Sequence, residues 1–110
     1  MKSQVIVEFG APLKEMEAPT PSPQGSEILI KVDNAGVCHS DVHIHDGYFS
    51  LGGGNKLPLA NIKFPHTMGH EIEGEVVAVG PQVRDVKTGT RYAVFPWIGC
   101  GECAACKRNE

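Results

Sequence analysis

The chain has 110 residues, 41% apolar and 21% charged, and carries a formal net charge of −3. That length sets one domain, with a core burying roughly two thirds of the unfolded surface. The weak acidity excludes a basic face for nucleic acid, and the apolar runs are far shorter than the roughly 20 residues of a membrane span. Met1–Phe9 has an acidic residue within a short apolar stretch and reads as a strand, not an export signal. The expected compartment is the cytoplasm, where four cysteines suggest metal before disulfides.

In chain order, Val5, Val7 and Phe9 alternate with Gln4, Ile6 and Glu8, which predicts a first strand with one apolar face. Ala18–Gly25 is a proline-stiffened connector. Ile28, Ile30 and Val32 alternate with Leu29, Lys31 and Asp33, the best strand pattern, running into Ala35-Gly36-Val37-Cys38. Ser40 or Asp41 is placed to N-cap a short helix carrying Val42–His45, which Gly47 ends. Residues 47–65 read as a long loop. Their triple glycine lacks the G-x-G-x-x-G pattern of a dinucleotide turn. Glu75–Val79, between Gly74 and Gly80, and Arg91–Phe95 predict two further strands. With 13 glycines and 8 prolines punctuating short elements, the expected fold is mostly β, a small open barrel of Greek-key character.

Two clusters carry chemistry. Zinc prefers thiolate and imidazole ligands in tetrahedral geometry. Cys38 ends the strongest strand pattern and His70 heads the next β run, so two rigid strand ends can bring them to one metal. Glu71 adds a carboxylate that can ligate or shape the field at the metal. Asp41 can accept the other N–H of a metal-bound imidazole and so hold its tautomer. Ser40 and His43 are spaced as a proton relay from the metal toward solvent. His45 and His66 gain nothing from this pattern and read as surface or structural. Downstream, Cys100-x2-Cys103-x2-Cys106 can wrap an ion in a glycine-flanked loop. A disulfide is the competing reading, and a closed structural zinc site needs a fourth ligand.

Gly36-Val37-Cys38-His39-Ser40-Asp41-Val42-His43, Gly69-His70-Glu71 and the Cys100/Cys103/Cys106 lobe occur in the order and at the separations that resemble the zinc-dependent medium-chain alcohol dehydrogenases. The likeness extends over the whole chain, including Gly74–Gly80 and Val94-Phe95-Pro96-Trp97. It implies a GroES-like open β-barrel, the N-terminal part of the catalytic domain, as a single domain over 1–110 with a cysteine-rich lobe from about residue 97. By position, it makes Cys38 and His70 catalytic zinc ligands with Glu71 beside the metal and Asp41 behind His70. Ser40 takes the alcohol proton and His43 passes it on. His39 lies near the cofactor pyrophosphate, Trp97 walls the substrate pocket, and Cys100, Cys103 and Cys106 hold a structural zinc. The implied reaction oxidises a small alcohol, or reduces an aldehyde or ketone, with NAD or NADP, in a homo-oligomeric parent enzyme without nucleic-acid or membrane partners.

The family's fourth lobe cysteine, its third catalytic ligand and its Rossmann β-α-β unit do not occur in these 110 residues. Thr90 stands where the family pattern has an acidic residue. The expectation is therefore a fragment, inactive alone, with zinc partial or absent and Glu102, Glu110 or water completing the lobe. The alternative is a stand-alone zinc-binding or interaction module that keeps the GroES-like barrel.

Overall fold

Strands β3 (Ile28–Gly36) and β7 (Glu71–Val79) form the backbone of the domain in a computed structural model that describes residues 1–108. They pair antiparallel from Ile28 opposite Val79 to Gly36 opposite Glu71, with irregularities at Leu29/Ile30 and Val32/Asn34. β8 (Arg91–Val94) joins the far side of β7. β7 begins at Glu71, earlier than the predicted Glu75. Gly74, taken from sequence as a boundary, lies inside the strand opposite Val32, and glycine is required there since a Cβ would stand 2.2 Å from the Lys31 carbonyl oxygen. Arg91 ties the three strands together. Its guanidinium donates to Asp33 Oδ2 at 2.8 Å and pairs with Glu73 Oε1 at 2.7 Å. Phe95, expected within this last strand, lies past its end and is largely exposed.

A second sheet places β1 (Lys2–Ile6) between β2 (Lys14–Glu17) and β6 (His66–Thr67). β1 stops at Ile6, short of the predicted Phe9. Val5 and Ile6 are both buried, so the strand is covered on both faces and not on one as the alternation suggested. β2 was not legible: Lys-Glu-Met-Glu is exposed throughout and pairs through its backbone as an edge strand. The predicted loop 47–65 contains a hairpin, β4 (Tyr48–Gly52) with β5 (Asn55–Pro58). Polar and glycine residues dilute its pattern, and left-handed Gly52, Gly53 and Gly54 turn the chain between its strands.

Helix α1 spans His39–Asp46 and closes at Gly47, whose φ of 84° is left-handed. Its N-cap is Cys38, not Ser40 or Asp41. Asp41, at the third helical position, reaches back to accept the Cys38 backbone N–H at 3.0 Å, one half of a capping box. Helix α2 (Ala104–Lys107) lies in the cysteine-rich segment, where irregular chain was expected.

The mostly-β expectation holds; the expected sizeable core does not. Among the described residues the buried apolar side chains are Val5, Ile6 and Val76. The radius of gyration is 16.6 Å, against about 13 Å for a compact chain of this size. One face of the β3–β7–β8 sheet forms an open apolar trough of about 500 Å³ along Ile28, Ile30, Val32, Ile72, Tyr92 and Val94, with Val86 at its side. Among the described residues no helix is long and apolar enough to cross a membrane. With so few buried side chains, each weighs heavily. Ile6→Ala should lower the unfolding free energy by about 2–5 kcal/mol, read from urea denaturation. Ile98→Ala, at a side chain 97% exposed, should stay within about 0.5 kcal/mol.

Candidate metal centre

Cys38 lies two residues past the end of β3, and His70 immediately precedes β7. Because the strands are antiparallel, those two ends meet. Cys38 Sγ, a ring nitrogen of His70 and a carboxylate oxygen of Glu71 lie within 4.8 Å of one another. The three residues predicted from sequence thus converge as one donor group.

Asp41 holds the corner. It is 7% exposed, and its two oxygens accept backbone N–H groups from both sides of the site: Cys38 at 3.0 Å and Gly69 at 3.2 Å. The sequence reading placed Asp41 behind His70 alone. Its Oδ1 does sit 3.5 Å from His70 Nδ1, but the shorter bonds go to the backbone. The carboxylate therefore clamps the start of α1 to the turn that precedes β7, and fixes both candidate ligands at once.

Electrostatics couple the pair. The Cys38 thiol is pushed down, first by the Ser40 backbone N–H, then by the Ser40 hydroxyl and by His70. A cysteine at a helix N-terminus is a common site for such a shift. His70 is pushed up, first by its hydrogen bond with Cys38, with Asp41 adding to the rise and burial opposing it.

Ser40 Oγ stands 3.6 Å from Cys38 Sγ. His43 is one helical turn on, so it shares the face of Ser40. Its ring lies 4.7 Å from the ring of exposed His39 and 4.8 Å from that of Phe49. Phe49 belongs to the unanticipated hairpin, so sequence had no means of placing it. Ser40, Ile44, Phe49, His70, Pro96 and Trp97 line one cleft of about 300 Å³. Trp97 thus shares a cleft with His70 of the donor group. His45 is structural, its Nε2 2.8 Å from the Ala11 carbonyl, and His66 lies in β6 opposite Ile6.

The lobe is a second donor group: Cys100, Cys103 and Cys106 also place their sulfurs within 4.8 Å of one another. Cys100 and Cys106 share a thiol hydrogen bond at 3.8 Å without a disulfide, and the Cys103 N–H donates to Cys100 Sγ at 3.3 Å. The Cys100 thiol falls to about 7, owing first to the backbone N–H groups of Glu102 and Cys103, then to the neighbouring thiols. Glu102 is not among the converging donors of the described residues, and Glu110 lies outside those residues.

Residues 24–110 match the alcohol dehydrogenase GroES-like domain. The chain belongs to that family. The NAD-dependent alcohol dehydrogenase of Sulfurisphaera tokodaii is 44% identical over all of this chain and 31% of that protein. The L-threonine 3-dehydrogenase of Thermococcus kodakarensis is 43% identical over 99% of this chain and 30% of its own length. The structure of a cobalt- and zinc-bound thermostable alcohol dehydrogenase from Pyrobaculum aerophilum superposes with a TM-score of 0.79 at 31% identity, over 98% of this chain and 30% of that one. The chain therefore spans less than a third of the length of these relatives. Its GroES-like fold is as the motifs implied.

Two outcomes test the geometry of this GroES-like domain. Asp41→Ala leaves the Cys38 and Gly69 N–H groups without their acceptor and should cost about 1–3 kcal/mol of stability, measured by denaturant unfolding; Asp41→Asn should cost less. In zinc-free protein, alkylation of Cys100 should lose rate as pH falls through about 7, whereas an ordinary thiol loses it below about 8.5. Mass spectrometry of labelled peptides reads this directly.

Proposed function

We propose that this domain is the zinc-binding, substrate-facing part of an NAD(P)-dependent alcohol dehydrogenase, with residues 1–110 as one domain. The observation that carries the reading is the convergence of Cys38, His70 and Glu71 within 4.8 Å. That donor set fits zinc: one thiol biased toward thiolate, one imidazole and one carboxylate. His70 turns Nδ1 toward Asp41, which leaves Nε2 as its metal donor. Cys100, Cys103 and Cys106 supply three thiols for a structural zinc. When bound, catalytic zinc supplies a Lewis acid that acidifies an alcohol hydroxyl, and NAD or NADP supplies the hydride acceptor.

The chain's own residues do the rest. Ser40, beside Cys38, accepts the alcohol proton at Oγ and passes its own toward His43, which releases it to solvent. Phe49 holds the His43 ring from one side. Ile44, Phe49, Pro96 and Trp97 give the cleft an apolar wall for the carbon skeleton of the substrate. Asp41 keeps Cys38 and His70 in register. Exposed His39, at the open start of α1, is the residue to meet the cofactor pyrophosphate. The relatives named for NAD-dependent alcohol and L-threonine 3-dehydrogenation support a small hydroxyl compound as substrate.

Cobalt(II) added to zinc-free protein tests the reading. A thiolate-to-cobalt absorption band should appear. Cys38→Ser should remove one part of it and Cys103→Ser another. Unchanged metal content and spectrum in both Cys38→Ser and His70→Ala would refute a metal at this position. In an enzyme that carries this domain, Ser40→Ala should lower turnover by about 10²–10⁴-fold, while the 110-residue chain alone should form no NADH from alcohols.

A further inference from the structure

Gly36 sits opposite Glu71 in the β3–β7 ladder. A Cβ at position 36 would stand 2.3 Å from Glu71 Oε2, 3.0 Å from its Cβ and 3.3 Å from its Cδ. The Glu71 side chain therefore lies folded over the bare α-carbon of Gly36. Gly36 is absent from the glycines with positive φ, so its backbone asks nothing that alanine could not give. What the position requires is the missing side chain.

Gly74, in the same sheet, shows the contrast. There the obstacle to a Cβ is the Lys31 backbone carbonyl, which cannot move without the strand. At Gly36 the nearest obstacle is the tip of a flexible side chain. An added methyl group would push the carboxylate away and would also need a shift of a few tenths of an ångström at the Glu71 Cβ, 3.0 Å off and tied to its strand. The same carboxylate is the third member of the Cys38–His70–Glu71 group.

We propose that Gly36 is a positioning residue: by leaving its face of β3 empty, it directs the Glu71 carboxylate into the metal centre and so sets the number of protein donors there. This rests on the reading that Cys38 and His70 hold zinc. Adding one methyl group to β3 should subtract one donor from the site.

The test is zinc affinity by chelator competition, with cobalt absorption as a second readout. All proteins carry Cys100→Ser and Cys103→Ser so that the lobe is silent. Gly36→Ala and Glu71→Gln should each weaken metal binding by about 10–100-fold and alter the cobalt spectrum in the same way. The double variant should be no weaker than either single one. Wild-type affinity in Gly36→Ala, or losses that multiply in the double variant, would overturn the proposal. If Cys38→Ser weakens binding and Glu71→Gln does not, the zinc reading stands and the role of Gly36 falls. If Cys38→Ser leaves affinity unchanged, the zinc reading itself falls. Circular dichroism monitors folding. Should Gly36→Ala unfold, Glu71→Asp in the unchanged strand is the second probe: its shorter arm should give the same loss, and unaltered affinity would overturn the proposal.

Discussion

The antiparallel ladder between β3 and β7 determines which residues can meet. It ends with Gly36 opposite Glu71, so the chain leaving β3 and the chain entering β7 emerge side by side. Cys38 rides on the first and His70 on the second. A slip of one residue would turn Glu71 to the other face of the sheet and separate it from the other donors. Arg91, held by Asp33 and Glu73, reinforces this register from β8, although exposed ion pairs of this kind contribute only about 0–1 kcal/mol each.

The corner built on that ladder is closed by charge. Asp41 is the buried carboxylate among the described residues, and it is satisfied by backbone N–H groups from the two segments that carry the donors. A buried carboxylate left unpartnered would be expensive, so this bonding is also a specificity device: the helix can start only where Gly69 can reach it. Cys38 and His70 bias each other toward thiolate and imidazolium. A divalent cation held by these two groups would require the thiolate and the neutral imidazole, so its binding would release the His70 proton. Around this fixed corner the domain is lightly packed. Among the described residues three apolar side chains are buried, while Phe95, Trp97 and Ile98 are largely exposed.

Much of the fold was legible where pattern and punctuation agree. The alternation from Ile28 to Val32 became β3, and Gly47 ended α1 as its left-handed conformation allows. Reading failed where pairing is decided at a distance. Lys14–Glu17 has no apolar face, yet its backbone completes an edge beside β1. Tyr48–Pro58 looked like loop because glycines and polar residues mask a hairpin. Gly74 read as a break because a sequence cannot show that a neighbouring carbonyl occupies the space of its side chain. For the site, residue type together with the strand-end positions of Cys38 and His70 and the neighbouring Ser40, Asp41, His43 and Glu71 singled out Cys38, His70 and Glu71 as candidates. The double backbone grip of Asp41 and the emptiness Gly36 provides had no local signal.

The sequence by itself determined the chemistry on offer: two groups of soft and borderline metal donors, a hydroxyl and an imidazole one helical turn apart, and a chain rich enough in β patterns to hold them rigidly. These follow from residue identity and short-range spacing. Only the tertiary structure decided which donors share a point in space, which of them lean on Asp41, and that a glycine opposite Glu71 leaves room for its carboxylate. Those are properties of strand register and of side-chain volume between segments some thirty residues apart in the chain, and no local pattern encodes either.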